Sequence, residues 1–148
     1  MSLKNTVSLG PGVYYVSGGD FQVNALANVS GTGVTIYLSG SSHVSINGTA
    51  TVNLTAPTTG TYAGMLFFGD RAGTGNNTFN GTASSSLTGT IYFKSGKVNY
   101  LGNISGAGGC TQVVADTVNW SGTSSISQDC ASKGMTPITA ITVVTLTE

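Results

Sequence analysis

Charge is what this chain of 148 residues has least of. Asp, Glu, Lys and Arg make up 7% of it, against about 25% in an ordinary soluble protein. Five basic residues balance five acidic ones. Such a chain cannot neutralise a run of phosphates, which excludes nucleic acid as a partner, and it has no polybasic cluster for an anionic membrane surface. Histidine occurs once, as His43. With no Ser-His-Asp arrangement and no second metal ligand it reads as a turn or strand-edge residue. There are two cysteines, Cys110 and Cys130, with no CxxC pair and no Cys/His cluster, so no zinc or other cofactor is expected. No run of about 18 apolar residues is present to span a bilayer, and no signal peptide is expected within these residues. Met1-Ser2-Leu3 leads straight into a β pattern. The expectation is a single domain over residues 1–148, a piece of a longer protein anchored by an N-terminal membrane helix, and itself without membrane contact.

What is there is apolar, hydroxylic and amidic. Hydrophobic residues make up 39% and include β-branched and aromatic clusters, which excludes disorder. Gly, Thr, Ser and Asn supply most of the remainder, so the surface dissolves through hydroxyls and amides, as in secreted and surface-exposed β proteins. Helical periodicity is nearly absent. Short β-type runs recur instead: Val13–Val16, Val34–Leu38, Met65–Phe68, Thr90–Phe93, Gln112–Ala115 and Ile141–Leu146, separated by small polar or glycine-rich turns.

One motif repeats, approximately apolar-x-apolar-x-Gly-x-small. It reads Val44-Ser45-Ile46-Asn47-Gly48, Asn77-Thr78-Phe79-Asn80-Gly81, Val98-Asn99-Tyr100-Leu101-Gly102 and Val118-Asn119-Trp120-Ser121-Gly122, with a weaker first copy at Phe21–Ala25. Its markers at 25, 48, 81, 102 and 122 are spaced by 23, 33, 21 and 20 residues. A repeat of just over twenty residues with about three short strands describes one coil of a parallel β-helix. The spacing therefore predicts an all-β fold, a short right-handed parallel β-helix of about five coils. Its expected core holds Ile36, Leu38, Ile46, Leu54, Phe67, Phe79, Leu87, Ile91, Phe93, Tyr100, Val113 and Trp120. The long third step leaves room for an insertion, placed at residues 69–75. The alternative is a β-sandwich, with Asn47-Gly48 and Asn80-Gly81 as its hairpin turns.

No enzyme site is legible. Asp20, Asp70, Asp116, Asp129 and Glu148 fall in different coils, whereas glycoside hydrolysis needs two facing carboxyls. Asp70-Arg71 is the only adjacent charge pair in its region, and it reads either as a polar anchor for a partner or as a loop-ordering ion pair. Lys94 and Lys97 flank one turn and read as a solvated corner. Gly73-Thr74-Gly75 lacks the Lys and the helix of a phosphate loop. The Asn-x-Ser/Thr triplets at Asn28, Asn47, Asn53, Asn76, Asn80, Asn103 and Asn119 follow from composition, and Asn suits corners and side-chain ladders. Cys110 and Cys130 lie one coil length apart. They are either two buried thiols or a disulfide that clamps the C-terminal end, which the rest of the composition favours; such a bridge contributes about 3 kcal/mol.

The runs Leu9-Gly10-Pro11-Gly12-Val13-Tyr14-Tyr15, Val34–Leu38, Ala56-Pro57, Tyr62–Arg71, Gly89–Phe93 and Cys110–Ala115 resemble the C-terminal part of bacterial Tad/Flp pilus-assembly proteins of the TadE/TadG-like group, over nearly the whole chain. The resemblance implies an extracytoplasmic envelope domain with protein partners in the cell envelope or pilus, and no catalysis. Where relatives carry a cysteine soon after Pro-Gly-Val-Tyr, this chain has Tyr15, which removes a second bridge. The same opening is more loosely similar to bacterial ice-binding β-helix proteins, but the long helix that those proteins pack along the solenoid has no counterpart in this sequence. The expected function is a non-enzymatic structural or interaction module. A carbohydrate- or surface-binding β-helix is the alternative and a polysaccharide-active enzyme the third. An outward aromatic row beside a shallow groove would favour carbohydrate, a flat Thr array ice, and a carboxylate cluster an enzyme.

Overall fold

The computed structural model describes residues 1–104 and 110–123. Among them there is no helix, and every strand pair is parallel. The chain winds into a parallel β-helix of about five turns. The sandwich, which requires antiparallel pairs, is excluded. The first turn holds β1 (Ser2–Leu3), β2 (Thr6–Leu9) and β3 (Gly12–Val16); the second, β4 (Phe21–Val23), β5 (Asn28–Thr32) and β6 (Val34–Leu38); the third, β7 (Val44–Ile46), β8 (Thr51–Thr55) and β9 (Met65–Gly69). β10 (Asn76–Gly81) opens the fourth turn, and two long strands, β11 (Ser86–Gly102) and β12 (Thr111–Trp120), run on around the later corners.

Three faces result. The first is β1, β4, β7, β10 and the distal ends of β11 and β12. The second is β2, β5, β8 and the start of β11. The third is β3, β6, β9, the middle of β11 and the start of β12. The repeat seen in the sequence is the register of the first face, where Phe79 pairs with Tyr100 and Gly81 with Gly102.

Because side chains alternate across a strand, each face sends every second residue inward. Phe21, Phe67 and Phe79, from three successive turns, meet edge to face at 5.7 and 5.0 Å, the arrangement that ring quadrupoles favour. Gly69 makes room for this packing, since a β-carbon there would collide with the Phe93 ring. Two buried polar side chains repair the backbone at corners. Asn77 accepts from the Val44 N–H and donates to the Gly75 and Lys97 carbonyls. Ser85 accepts from the Val52 N–H at 3.0 Å. Both satisfy main-chain groups that neighbouring turns leave unpaired.

Two expectations are corrected. The insertion lies between β8 and β9, at residues 56–64, not at 69–75. There Gly64 N–H donates to the Pro57 carbonyl at 2.7 Å and folds the loop back on itself. Trp120 takes the inward register expected of it, stacked on Tyr100 at 4.6 Å, but it remains 38% exposed. It stands on the last described rung of its face, where among the described residues a neighbour covers one side only. Val113 is partly buried, and the other ten expected core residues are fully buried. Trp120→Ala is therefore expected to cost about 1–2 kcal/mol, the worth of one stacked and half-covered ring. Thermal denaturation checks this, and an unchanged melting temperature would mean that the stack does not form in solution.

Tyr100 carries a buried hydroxyl with no hydrogen-bond partner among the described residues. Burial pushes its pKa up to about 12 from the usual 10. Above pH 10 the unfolded chain releases this proton more readily than the folded one, so stability is intact below pH 10 and falls as pH rises toward 12. Over that window the loss amounts to about 2–3 kcal/mol. Tyr100→Phe is expected to abolish this alkaline loss and, by removing an unsatisfied polar group, to raise stability at neutral pH by about 1 kcal/mol. Urea titrations at pH 7 and pH 11 would show both effects.

Candidate binding face

The third face carries the feature that sets this molecule apart. Tyr15, Tyr37, Phe68 and Tyr92 occupy the same outward register position in four successive turns. Their rings stack in sequence with centroids 5.0, 5.2 and 5.2 Å apart, close to the spacing of about 4.8 Å between paired strands. Tyr15 is 65% exposed at one end of the row. Burial beside its neighbours, and then the Asp70 carboxylate, raise the pKa of Tyr37 above the ordinary tyrosine range.

The insertion walls one side of this row. Pro57, Thr59 and Tyr62 face Pro11, Val13 and Thr35 across a shallow groove of about 430 Å³. Thr35 anchors the base of the loop by donating to the Met65 carbonyl at 2.7 Å. The first face has a more polar groove of about 370 Å³, lined by Gln22, Asn24, Ser45, Asn47 and Asn80. Its Asn residues form the expected ladder contacts, as where Asn119 donates to Asn99 at 3.4 Å.

Nearly all the described charge lies along one corner, where the third face turns into the first. Asp20, Asp70, Arg71, Lys94, Lys97 and Asp116 sit in or beside it with His43, leaving only Lys4 elsewhere among the described residues. Asp70 orders its loop without an ion pair to Arg71: its carboxylate accepts from the Ala72 and Gly40 N–H groups at 3.1 and 3.3 Å. Those backbone hydrogen bonds hold its pKa below the usual carboxylate value. Arg71 is exposed, and its carbonyl accepts from the Ser95 hydroxyl at 2.7 Å, which stacks one corner on the next. His43 lies directly before β7, with Nδ1 3.1 Å from an Asp20 carboxylate oxygen. Among the described residues no group of three His, Cys, Asp or Glu is placed to hold a metal ion, and no helix is long and apolar enough to cross a membrane.

Cys110 is fully buried and is not a free thiol. Cys130, Asp129 and Glu148 lie outside the described residues, as does the run Ile141–Leu146. Reading the sequence missed the aromatic row. Its signal was an aromatic at one fixed place in each of four runs, beside neighbours already assigned to the core. Compared with protein-family models, with curated proteins and with solved structures, the chain finds no match.

Proposed function

We propose that this chain is a non-enzymatic interaction module of a bacterial cell-surface apparatus, pilus-associated like the TadE/TadG-like proteins its sequence resembles, and that its third face is the working surface. The observation behind this reading is the continuous row of four outward rings on a solenoid whose register fixes their spacing. Aromatic side chains supply large contact area at small entropic cost, and exposed Tyr15 with the partly exposed Tyr37, Phe68 and Tyr92 forms a contiguous apolar strip of the kind that marks an interaction site. The row borders a shallow groove, which favours a saccharide as the molecule bound. On the second face the outward rows are Thr6, Asn28 and Thr51; Ser8, Ser30, Asn53 and Ser86; and Thr32, Thr55 and Thr88, a mixed Thr, Ser and Asn surface rather than an unbroken Thr array.

Replacing Tyr15, Tyr37 and Tyr92 together by Ala in the full-length gene tests the reading in the producing bacterium. Surface display, measured by protease shaving, is expected to persist while piliation or adhesion is lost. Undiminished piliation and adhesion would overturn it. The extracytoplasmic location and the Cys110–Cys130 bridge belong to the same proposal. A bridge needs Cα atoms about 4.4–6.8 Å apart, and it would close the C-terminal turn. Mass spectrometry of non-reduced digests is expected to show the two peptides linked; two alkylatable thiols in protein purified under oxidising conditions would remove the bridge.

A further inference from the structure

We infer that the aromatic face and the corner beside it together bind an acidic polysaccharide, one whose sugar rings carry carboxylates. This rests on the third face being the working surface and goes on to name the chemistry of its ligand. Tyr92 and Lys94 are successive outward positions, two residues apart on β11, and so about 7 Å apart along the strand. One turn earlier, Phe68 stands before the Asp70-Arg71 corner. Ser95 bonds that corner directly to the one carrying Lys94. The corner at the end of the aromatic row thus carries Arg71 and Lys94, with Lys97 just past it at the start of the first face, all exposed and, among the described residues, none in an ion pair.

The nearby acids offset these cations only in part: Asp70 keeps its charge in the same corner and acts on Tyr37, and Asp116 stands across from the Lys94 corner, but neither is ion-paired to a Lys or Arg among the described residues. The Asp70 carboxylate is turned onto backbone N–H groups of its own loop and of the preceding turn. Asp20 lies against His43, three corners away from Lys94. Asp116 is one turn further on, and its carboxylate accepts from the Thr117 hydroxyl. Three cations in two stacked corners are too few for a polyphosphate but match the sparse charge of a uronate chain, about one carboxylate per sugar. The apolar faces of the sugars then lie on the rings, whose exposed surface is largest at Tyr15, and the carboxylates meet the corner. Charge there adds attraction and register, and the rings add contact area.

Calorimetric titration of the folded protein with oligogalacturonate, and with the same oligomer fully methyl-esterified, separates the two contributions. The acid is expected to bind about tenfold or more tightly than the ester, and to weaken when NaCl is raised from about 20 mM to about 500 mM. Lys94→Ala with Lys97→Ala is expected to reduce affinity about tenfold. Tyr37→Ala with Tyr92→Ala should reduce it as much, and Tyr15→Ala, at an exposed site that cannot unfold the chain, should weaken it measurably. Equal binding of acid and ester would overturn the acidic ligand while leaving the aromatic face as a binding surface. Equal binding of polyglutamate, or tyrosine variants that bind like the parent, would reduce the effect to charge alone and overturn the inference. No binding to either oligomer would overturn it as well.

Discussion

Phe79→Ala is expected to destabilise the protein by about 3–5 kcal/mol, a large part of what holds a domain of this size together. Phe79 is wholly buried and lies within ring-contact range of Phe67, Phe93 and Tyr100. These partners belong to the turns before and after it as well as its own, so the cavity opens at the junction of three turns. The strands around it are held in register by their backbone ladders, and the walls can close in only slightly. Equilibrium urea unfolding followed by tryptophan fluorescence and by circular dichroism measures the loss. A change below about 1 kcal/mol would mean that the core collapses around the gap.

Gly89→Ala is expected to cost at least about 3 kcal/mol for a different reason. Gly89 has a φ of 142°, and a β-carbon there would lie 2.7 Å from the β-carbons of both Ala56 and Leu66. Neither neighbour is the flexible end of a long side chain. The Gly89 N–H also donates to the Cys110 carbonyl at 2.7 Å, which ties this position to the next turn. Backbone conformation and space therefore oppose the substitution together. Gly10→Ala makes the comparison, because nothing lies within 4 Å of a β-carbon added there; its effect is expected to stay within about 0.5 kcal/mol. Similar melting temperatures for the two variants would contradict the packing described at Gly89.

The parallel coil was legible because Gly48, Gly81, Gly102 and Gly122 recur with the register of one face, and a backbone ladder imposes that recurrence on any sequence that forms it. The position of the insertion was not. A step of 33 residues between Gly48 and Gly81 shows that one turn is long but not which of its three connections takes up the excess, and residues 56–64 and 69–75 are both rich in Gly and Thr. Trp120 was placed in the right register with the wrong exposure, since alternation gives the direction of a side chain and not whether another turn covers it. The aromatic row required a comparison across turns: Tyr37 and Phe68 follow core residues Ile36 and Phe67 directly, so parity alone sets them outward. The gathering of charge at one corner became visible only when 20, 70, 94, 97 and 116 were wound onto the same edge.

Each of the first four turns contributes one ring to the row, the next carrying Val114 at that position, and the ring spacing is inherited from the backbone rather than from the side chains. The platform is therefore a ruler graduated in whole turns. Deleting a few residues within a strand would slip the register and scatter the rings between inside and outside. Duplicating a complete turn would keep every contact of the stack and lengthen the platform by one graduation. In a solenoid, where each turn touches only its neighbours, such a duplication leaves distant turns undisturbed. The reach of this surface can thus grow or shrink by gene duplication in steps of one ring, with point substitutions left to set how strongly each ring holds.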